Sequence, residues 1–126
     1  MPKPDTIMID DTKYVREDFA LTQTQELNGL TRCLIRSYAA GVFIGYIEER
    51  KSELNGVNIT LLQAKRVHYW EGACSLTQLA LEGTKKPDKC RITNAIPSQF
   101  IADVVEIIPL TLDASQNLDE VSSWKQ

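Results

Sequence analysis

The chain has 126 residues, of which 43% are hydrophobic and 25% are charged, as is usual for globular proteins. This length and composition predict one small domain and argue against a disordered, collagenous or membrane-spanning chain. No apolar stretch approaches the roughly 18–20 residues of a transmembrane helix, and the N-terminus lacks the pattern of a signal peptide. We therefore expect an intracellular protein without membrane association.

The net charge of −3 is unevenly distributed along the chain. Residues 31–100 carry ten basic and six acidic side chains, whereas residues 1–30 and 101–126 are both acidic. Binding of long nucleic acids depends on many Lys and Arg contacts to phosphates, so this acidic chain is not expected to bind them. The basic middle segment still allows a local pocket for a small anion.

The three cysteines are Cys33, Cys74 and Cys90. Their odd number and wide spacing argue against a disulfide framework, and no spacing is typical of a zinc site. We expect three reduced thiols, with Cys33 and Cys74 poorly accessible, because a free cysteine behaves as a small apolar residue.

The first thirty residues are predicted to form an N-terminal extension to a single α+β domain at residues 31–126. Residues 7–16 have the pattern of a small hairpin. Residues 17–29 are compatible with a short helix or a linker that ends at Gly29.

An antiparallel β-meander is predicted to follow. The Asn55-Gly56 pair is a strong hairpin signal because both residues tolerate positive φ. A bulge is expected near Leu62-Gln63. The three predicted strands are Arg32–Ala40, Gly41–Arg50 and Val57–Trp70.

A short, well-capped helix is predicted after the meander. Ser75 and Gln78 have the spacing of a capping box, Leu76 and Leu79 lie at helical spacing, and Gly83 is placed to end the helix.

Further strands are predicted at Cys90–Ile96 and Asp103–Leu110, separated by residues 97–100, with Pro109 ending the second. A weak acidic helix is expected over Thr111–Val121. Trp124 is expected to dock onto the domain because it is large and apolar. Strands and helices segregated in this way predict an α+β fold: an antiparallel meander sheet with one well-capped helix and a weak C-terminal helix.

Gly41 and Gly45 form a G-x-x-x-G pattern inside a strand, which differs from the dinucleotide-binding fingerprint. The pattern favours close packing against a neighbouring backbone. The alternative is space for a planar ligand against Phe43.

The segment Lys65–Trp70 contains two cations and three aromatic rings. Strand alternation places Arg66, His68 and Trp70 on one face. These residues could form one core face and one solvated face. The functional alternative is a strip on which Trp70 stacks a base while Arg66 or Lys65 contacts a phosphate.

Ser75 follows this strip after a turn of four residues. Its hydroxyl group could cap the helix or share a ligand, and the N–H groups at a helix start favour an anion.

Catalysis has little support in the sequence. His68 is the only histidine, so a nucleophilic triad would depend entirely on it. We therefore expect no catalytic residue, no metal site and no cofactor; a hydrolase that uses His68 is a third possibility.

Several stretches resemble a small, largely uncharacterised protein family common in phages and prophages. They are residues 36–46 (RSYAAGVFIGY), 64–73 (AKRVHYWEGA) and 75–80 (SLTQLA), with 14–18 (YVRED) and 86–90 (KPDKC) in addition. The resemblance covers residues 32–111. These motifs contain no catalytic signature.

The chain is also similar in size and layout to the Thoeris anti-defence sponge proteins of phages. That similarity implies sequestration, without turnover, of a cyclic nucleotide immune signal: a cyclic ADP-ribose isomer or a cyclic oligonucleotide. It also implies a homodimer or larger assembly in the host cytoplasm. No sponge residue is transferred by position. From chemistry alone, the expected ligand-binding residues are Arg36, Phe43, Arg66, Trp70 and Ser75. The alternative function is a phage accessory module that binds another protein through the sheet edge and Trp124.

Overall fold

The computed structural model describes residues 26–27, 29–54 and 56–124. Its strands are β1 (Glu26–Leu27), β2 (Leu30–Ser37), β3 (Gly41–Glu53), β4 (Gly56–Tyr69), β5 (Arg91–Ile92) and β6 (Ile96–Pro109). Its helices are α1 (Leu76–Glu82) and α2 (Leu112–Asp119), with a 3-10 turn at Pro87–Lys89. Neither α-helix, at seven and eight residues, has the length and continuous apolar character needed to cross a membrane.

The pairing of β6 converts the meander into a small barrel. Strands β1 to β5 are neighbours in chain order, and all their pairings are antiparallel. The first part of β6 pairs with β4, and its last part pairs with β2. Strands β2, β3, β4 and β6 therefore form a closed ring of hydrogen-bonded neighbours.

The ring separates two apolar cores, as expected when successive strand side chains point to opposite faces. One cluster is enclosed by the ring and includes Phe43, Ile35 and Leu61, which are all fully buried. The other lies between the outer face of the sheet and the two helices, and includes Ile44, Leu79 and Leu118. We call these the barrel core and the helix-side core.

A glycine and a bulge shape the middle of the β3–β4 pairing. A Cβ atom on Gly45 would lie 2.7 Å from Leu61 Cγ and 2.9 Å from the Leu62 carbonyl oxygen, so this position requires glycine. On β4, the register shifts opposite Gly45, and Gln63 adopts φ 51°. The predicted close packing at Gly45 and the predicted bulge near Gln63 are confirmed.

Both helices begin at hydroxyl caps. The Ser75 hydroxyl accepts a hydrogen bond from the Gln78 N–H, and the Thr111 hydroxyl accepts one from the Ala114 N–H. Gly83, at φ 79°, ends α1, as predicted. Capping of this kind is worth about 1 kcal/mol per helix.

The α+β class, the antiparallel meander and both helices are confirmed. Two predicted boundaries are wrong. Residues 97–100 lie inside one continuous strand, β6, rather than between two strands. The predicted strand Cys90–Ile96 is reduced to the two residues of β5.

The assignment of buried thiols needs one correction. Cys33 is buried, as predicted, but Cys74 is exposed and the second buried thiol is Cys90. Cys74 lies directly before the helix cap, where its N–H donates to the Gln78 side chain. Because this position is in the loop before α1, its side chain faces solvent.

Two predictions fall partly or wholly outside the described residues. They are the hairpin at residues 7–16 and the helix or linker at residues 17–29, of which the structure describes only β1 and Gly29. Asn55, in the predicted turn, is also outside them, but Gly56 has the positive φ, 130°, that the turn was expected to need.

Candidate functional site

Arg66 and Phe43 are in contact, but as part of the fold. The Arg66 guanidinium lies 4.5 Å from the centroid of the Phe43 ring, and its Nη1 donates to the Ala40 carbonyl oxygen at 2.7 Å. Phe43 belongs to the barrel core and has no exposed surface. The predicted stacking of a base on Phe43 is therefore incompatible with this conformation, and Arg66 holds the turn between β2 and β3.

Arg36 forms an ion pair on the barrel surface. Its Nε donates to Glu106 Oε1 at 2.8 Å, which links β2 to β6, and both side chains are more than 40% exposed. An exposed pair of this kind contributes little to stability. Arg36 remains accessible to solvent.

Ser75 has the capping role rather than an open anion site. Its hydroxyl accepts the Gln78 N–H at 3.1 Å, and the Gln78 side-chain oxygen accepts the Cys74 N–H at 2.8 Å. These hydrogen bonds occupy two of the backbone donors that an anion would use. A helix of seven residues also has only a small dipole.

Trp70 lies on a different side of β4 from the predicted one. The register between β4 and β5 shifts between Val67 and Tyr69, so β4 contains an extra residue there. A bulge reverses the alternation of side chains beyond it. Trp70 is therefore half-buried and packs with Val67 against the helix-side core, away from Arg66. The five expected ligand residues do not form one site.

A different group of aromatic and basic side chains does come together, at the end of β4. It lines a surface cleft of about 430 Å³, which we call the Arg91 cleft. Its lining residues are Tyr69, Glu71, Asp88, Lys89, Cys90, Arg91 and Trp124.

Arg91 is the centre of the aromatic contacts in this cleft. Its guanidinium lies 5.9 Å from the Tyr69 ring centroid and 5.7 Å from that of Trp124. Trp124 is itself stacked on His68, with ring centroids 4.9 Å apart and an interplanar angle of 14°. The backbone N–H of Trp124 donates to the Ile92 carbonyl oxygen at 2.9 Å, which fixes the end of the described chain along β5. The predicted docking of Trp124 is confirmed.

The polar groups of the cleft are also ordered. The Tyr69 hydroxyl donates to the Glu71 carboxylate at 2.6 Å. This hydrogen bond raises the pKa of Tyr69 above its usual value, because ionisation of the phenol would break it. Tyr69 therefore stays neutral, and the Glu71 carboxylate is held at the mouth of the cleft.

The cleft combines aromatic rings and two cations, Arg91 and Lys89, with two carboxylates, Glu71 and Asp88. Aromatic rings provide stacking surfaces of roughly 1–3 kcal/mol per base, and Arg91 and Lys89 provide cations for phosphate groups. Glu71 offers an acceptor for a hydroxyl or amino group.

One residue of this cleft, Tyr69, belongs to the aromatic segment singled out from the sequence. Arg91 lies 22 positions after Tyr69 in the chain, and only the β4–β5 pairing brings the two residues opposite each other, so their spacing did not reveal the cleft.

The described residues show no arrangement for metal binding: no three His, Cys, Asp or Glu side chains among them are grouped to hold an ion. The ring of His68 is engaged by Trp124.

The described residues form a small α+β barrel domain with a surface cleft at the end of β4. The chain belongs to a family described as a domain of unknown function, DUF6948, whose model matches residues 30–118. This match includes the whole barrel ring and nearly all of α2, and ends before Trp124. No curated protein and no solved structure matches the chain. The family description names no ligand, reaction or partner, so the similarity to phage sponge proteins stays a proposal.

Proposed function

We propose that this protein binds a small nucleotide-type signal in the Arg91 cleft and sequesters it without converting it. The observation that carries the proposal is the placement of one guanidinium beside two aromatic rings, with Lys89 lining the same cleft. Stacking surfaces next to cations suit a base linked to phosphates. Sequestration requires binding alone, so it needs no catalytic residue in the cleft.

The resemblance to phage anti-defence proteins suggests a biological setting for this binding. In that setting the protein is phage-encoded and acts in the cytoplasm of the infected bacterium. The ligand is then a cyclic ADP-ribose isomer or a cyclic oligonucleotide produced by host immunity. Holding such a signal would lower its free concentration and so weaken the immune response.

A titration by calorimetry tests the cleft directly. Cyclic ADP-ribose isomers and cyclic dinucleotides are titrated into wild type and Arg91→Ala. Loss of one charge-assisted hydrogen bond, about 1.5–3 kcal/mol, predicts about ten- to a hundredfold weaker binding. Chromatography of the released ligand should show it unchanged.

Arg36→Ala is the matched control, because it also removes an exposed arginine from the sheet surface. If Arg36→Ala weakens binding and Arg91→Ala does not, the ligand binds near Arg36 rather than in the Arg91 cleft. Failure of every nucleotide to bind wild type would overturn the proposal.

Exposed apolar side chains favour a second function, binding of another protein chain. Phe100 is 65% exposed and Val105 51% exposed, both on β6, and Ile96 at the start of that strand is 44% exposed. Exposed strands with apolar side chains favour association. We propose that the protein assembles at least as a homodimer with closed symmetry.

Light scattering at micromolar concentration tests the assembly. A dimer that Phe100→Ser converts to a monomer supports a β6 interface, and a wild-type monomer would contradict it. A stably co-purifying host protein, together with no nucleotide binding, would favour the accessory-module alternative.

A further inference from the structure

A second cluster of charged side chains lies where α2 packs against the barrel. Arg32, on β2, donates through Nη1 and Nη2 to both carboxylate oxygens of Asp119, at 2.9 and 2.8 Å. Lys65, on β4, donates to the same carboxylate at 3.0 Å. We call these three residues the Arg32 cluster.

Two cations in this cluster share one carboxylate, and both are shielded from water. The side chains of Arg32 and Lys65 are 4% and 19% exposed, and that of Asp119 is 39% exposed. The cluster itself therefore carries a net charge of +1. Shielded positive charge is unfavourable unless an anion compensates it.

The guanidinium of Arg32 also retains an unused donor. Nη1 additionally donates to the Ser115 hydroxyl, at 2.6 Å, but the buried Nε–H has no hydrogen-bond partner among the described residues. Most buried polar groups in proteins have a hydrogen-bond partner, so this donor is a second feature of the cluster that an acceptor group would stabilise.

A cleft of about 430 Å³ adjoins the cluster. Besides the three charged residues, Leu27, Tyr46, Gln63 and Ala95 line it. Gln63 is the bulge residue with φ 51°, a conformation that non-glycine residues rarely adopt. Bulges redirect side chains and are frequent beside functional sites. Here the bulge places an exposed amide side chain at the edge of a positively charged cleft.

We propose that this cleft binds the oxyanion group of a small molecule, a carboxylate or a phosphate. Lys65 and the Gln63 side-chain amide are the direct donors, and the buried Arg32 guanidinium adds positive potential to the cleft. Asp119 competes with the anion for Lys65. Leu27 and Ala95 line the rest of the cleft, and the buried Tyr46 ring lies against the Arg32 guanidinium, whose central carbon is 5.6 Å from the ring centroid. This site uses none of the residues of the Arg91 cleft and does not depend on the function proposed for that cleft.

NMR titration of the whole chain with inorganic phosphate and with acetate, at constant ionic strength, tests the proposal. We expect saturable shifts at the backbone amides of Gln63 and Lys65. Acetate alone acting would identify a carboxylate site, phosphate alone a phosphate site, and both a general oxyanion site. Shifts with neither anion, or shifts spread evenly over all basic residues, would overturn the proposal.

Two variants separate the site from general surface charge. Lys65→Met should lower the affinity for the anion at least tenfold. Lys51→Met, which removes an exposed lysine from β3, should leave that affinity unchanged. Asp119→Asn removes the competing carboxylate and should strengthen binding severalfold. Equal affinities of Lys65→Met and wild type would refute the assignment, even if Asp119→Asn failed to fold. Arg91→Ala should leave these shifts intact, so failure here is distinguishable from failure at the Arg91 cleft.

Discussion

Replacement of Asp119 by asparagine should be among the more damaging polar substitutions in this protein. The carboxylate is the anionic partner of Arg32, whose side chain is 4% exposed. Removing one partner of a fully buried ion pair destabilises proteins by about 3–5 kcal/mol. Because Asp119 is 39% exposed, water compensates part of this loss, and we expect the free energy of unfolding to fall by about 2 kcal/mol. For a domain of this size that corresponds to a Tm lower by roughly 10 °C.

The pH dependence gives the same experiment a second readout. Burial tends to raise the pKa of Asp119, but hydrogen bonds from Arg32 and Lys65 outweigh it and lower the pKa below the usual value. A lowered folded-state pKa means that the unfolded chain binds the proton more readily. The carboxylate therefore stabilises the fold fully above its unfolded pKa of about 3.9, and this contribution disappears as the pH falls through the folded pKa. The difference between wild type and Asp119→Asn should shrink below about pH 4.

The assay is urea unfolding followed by circular dichroism, at several pH values. Glu106→Gln is the matched control, because it removes the carboxylate of an exposed ion pair and should lose about 0.5 kcal/mol or less. If Asp119→Asn lost no more stability than Glu106→Gln at neutral pH, the reasoning about the buried guanidinium would be wrong.

Three further predictions concern the core, the thiols and the caps. Phe43→Ala should lose about 3–5 kcal/mol of unfolding free energy, measured by urea denaturation, because it empties the barrel core. A loss below about 1 kcal/mol would contradict its complete burial. Native protein should show one fast thiol, Cys74, in a thiol titration, because Cys33 and Cys90 are buried and should react only on unfolding. Burial also raises the pKa of the Cys33 thiol to about 11. Two or more fast thiols would disprove this. Thr111→Ala should lower stability by about 1 kcal/mol through loss of the α2 cap, and an unchanged midpoint would refute that role.

Much of the fold could be predicted because its signals are local. The Ser75 cap, the glycine end of α1 and the bulge near Gln63 each depend on a few neighbouring residues. Closure of the barrel has no such signal. It depends on β6 reaching both β2 and β4, and Pro97 within β6 made the strand resemble two strands with a loop between them.

The candidate site was harder to predict, for a related reason. One extra residue at the β4–β5 bulge reversed the side on which Trp70 lies. Alternation over Lys65–Trp70 therefore fails beyond the bulge, at Tyr69 and Trp70. Arg91 entered the site only through pairing across strands, which spacing along the chain does not reveal. Arg66 has the charge expected of a phosphate-binding residue, but its guanidinium contacts the Phe43 ring and donates to the Ala40 carbonyl oxygen.

The closed ring of strands also has a consequence for the order of assembly. The β2–β3 and β3–β4 pairs join neighbouring segments and can form as soon as each hairpin is available. The β2–β6 pairing joins segments that β3, β4, α1 and β5 separate in the sequence. It can form only after all of these have been synthesised, and such long-range closure is slow. During synthesis, the apolar side chains of the barrel core therefore stay exposed to solvent and to chaperones until β6 leaves the ribosome. A chain interrupted before Ile96 would keep that surface open, so we expect it to aggregate where the full chain folds.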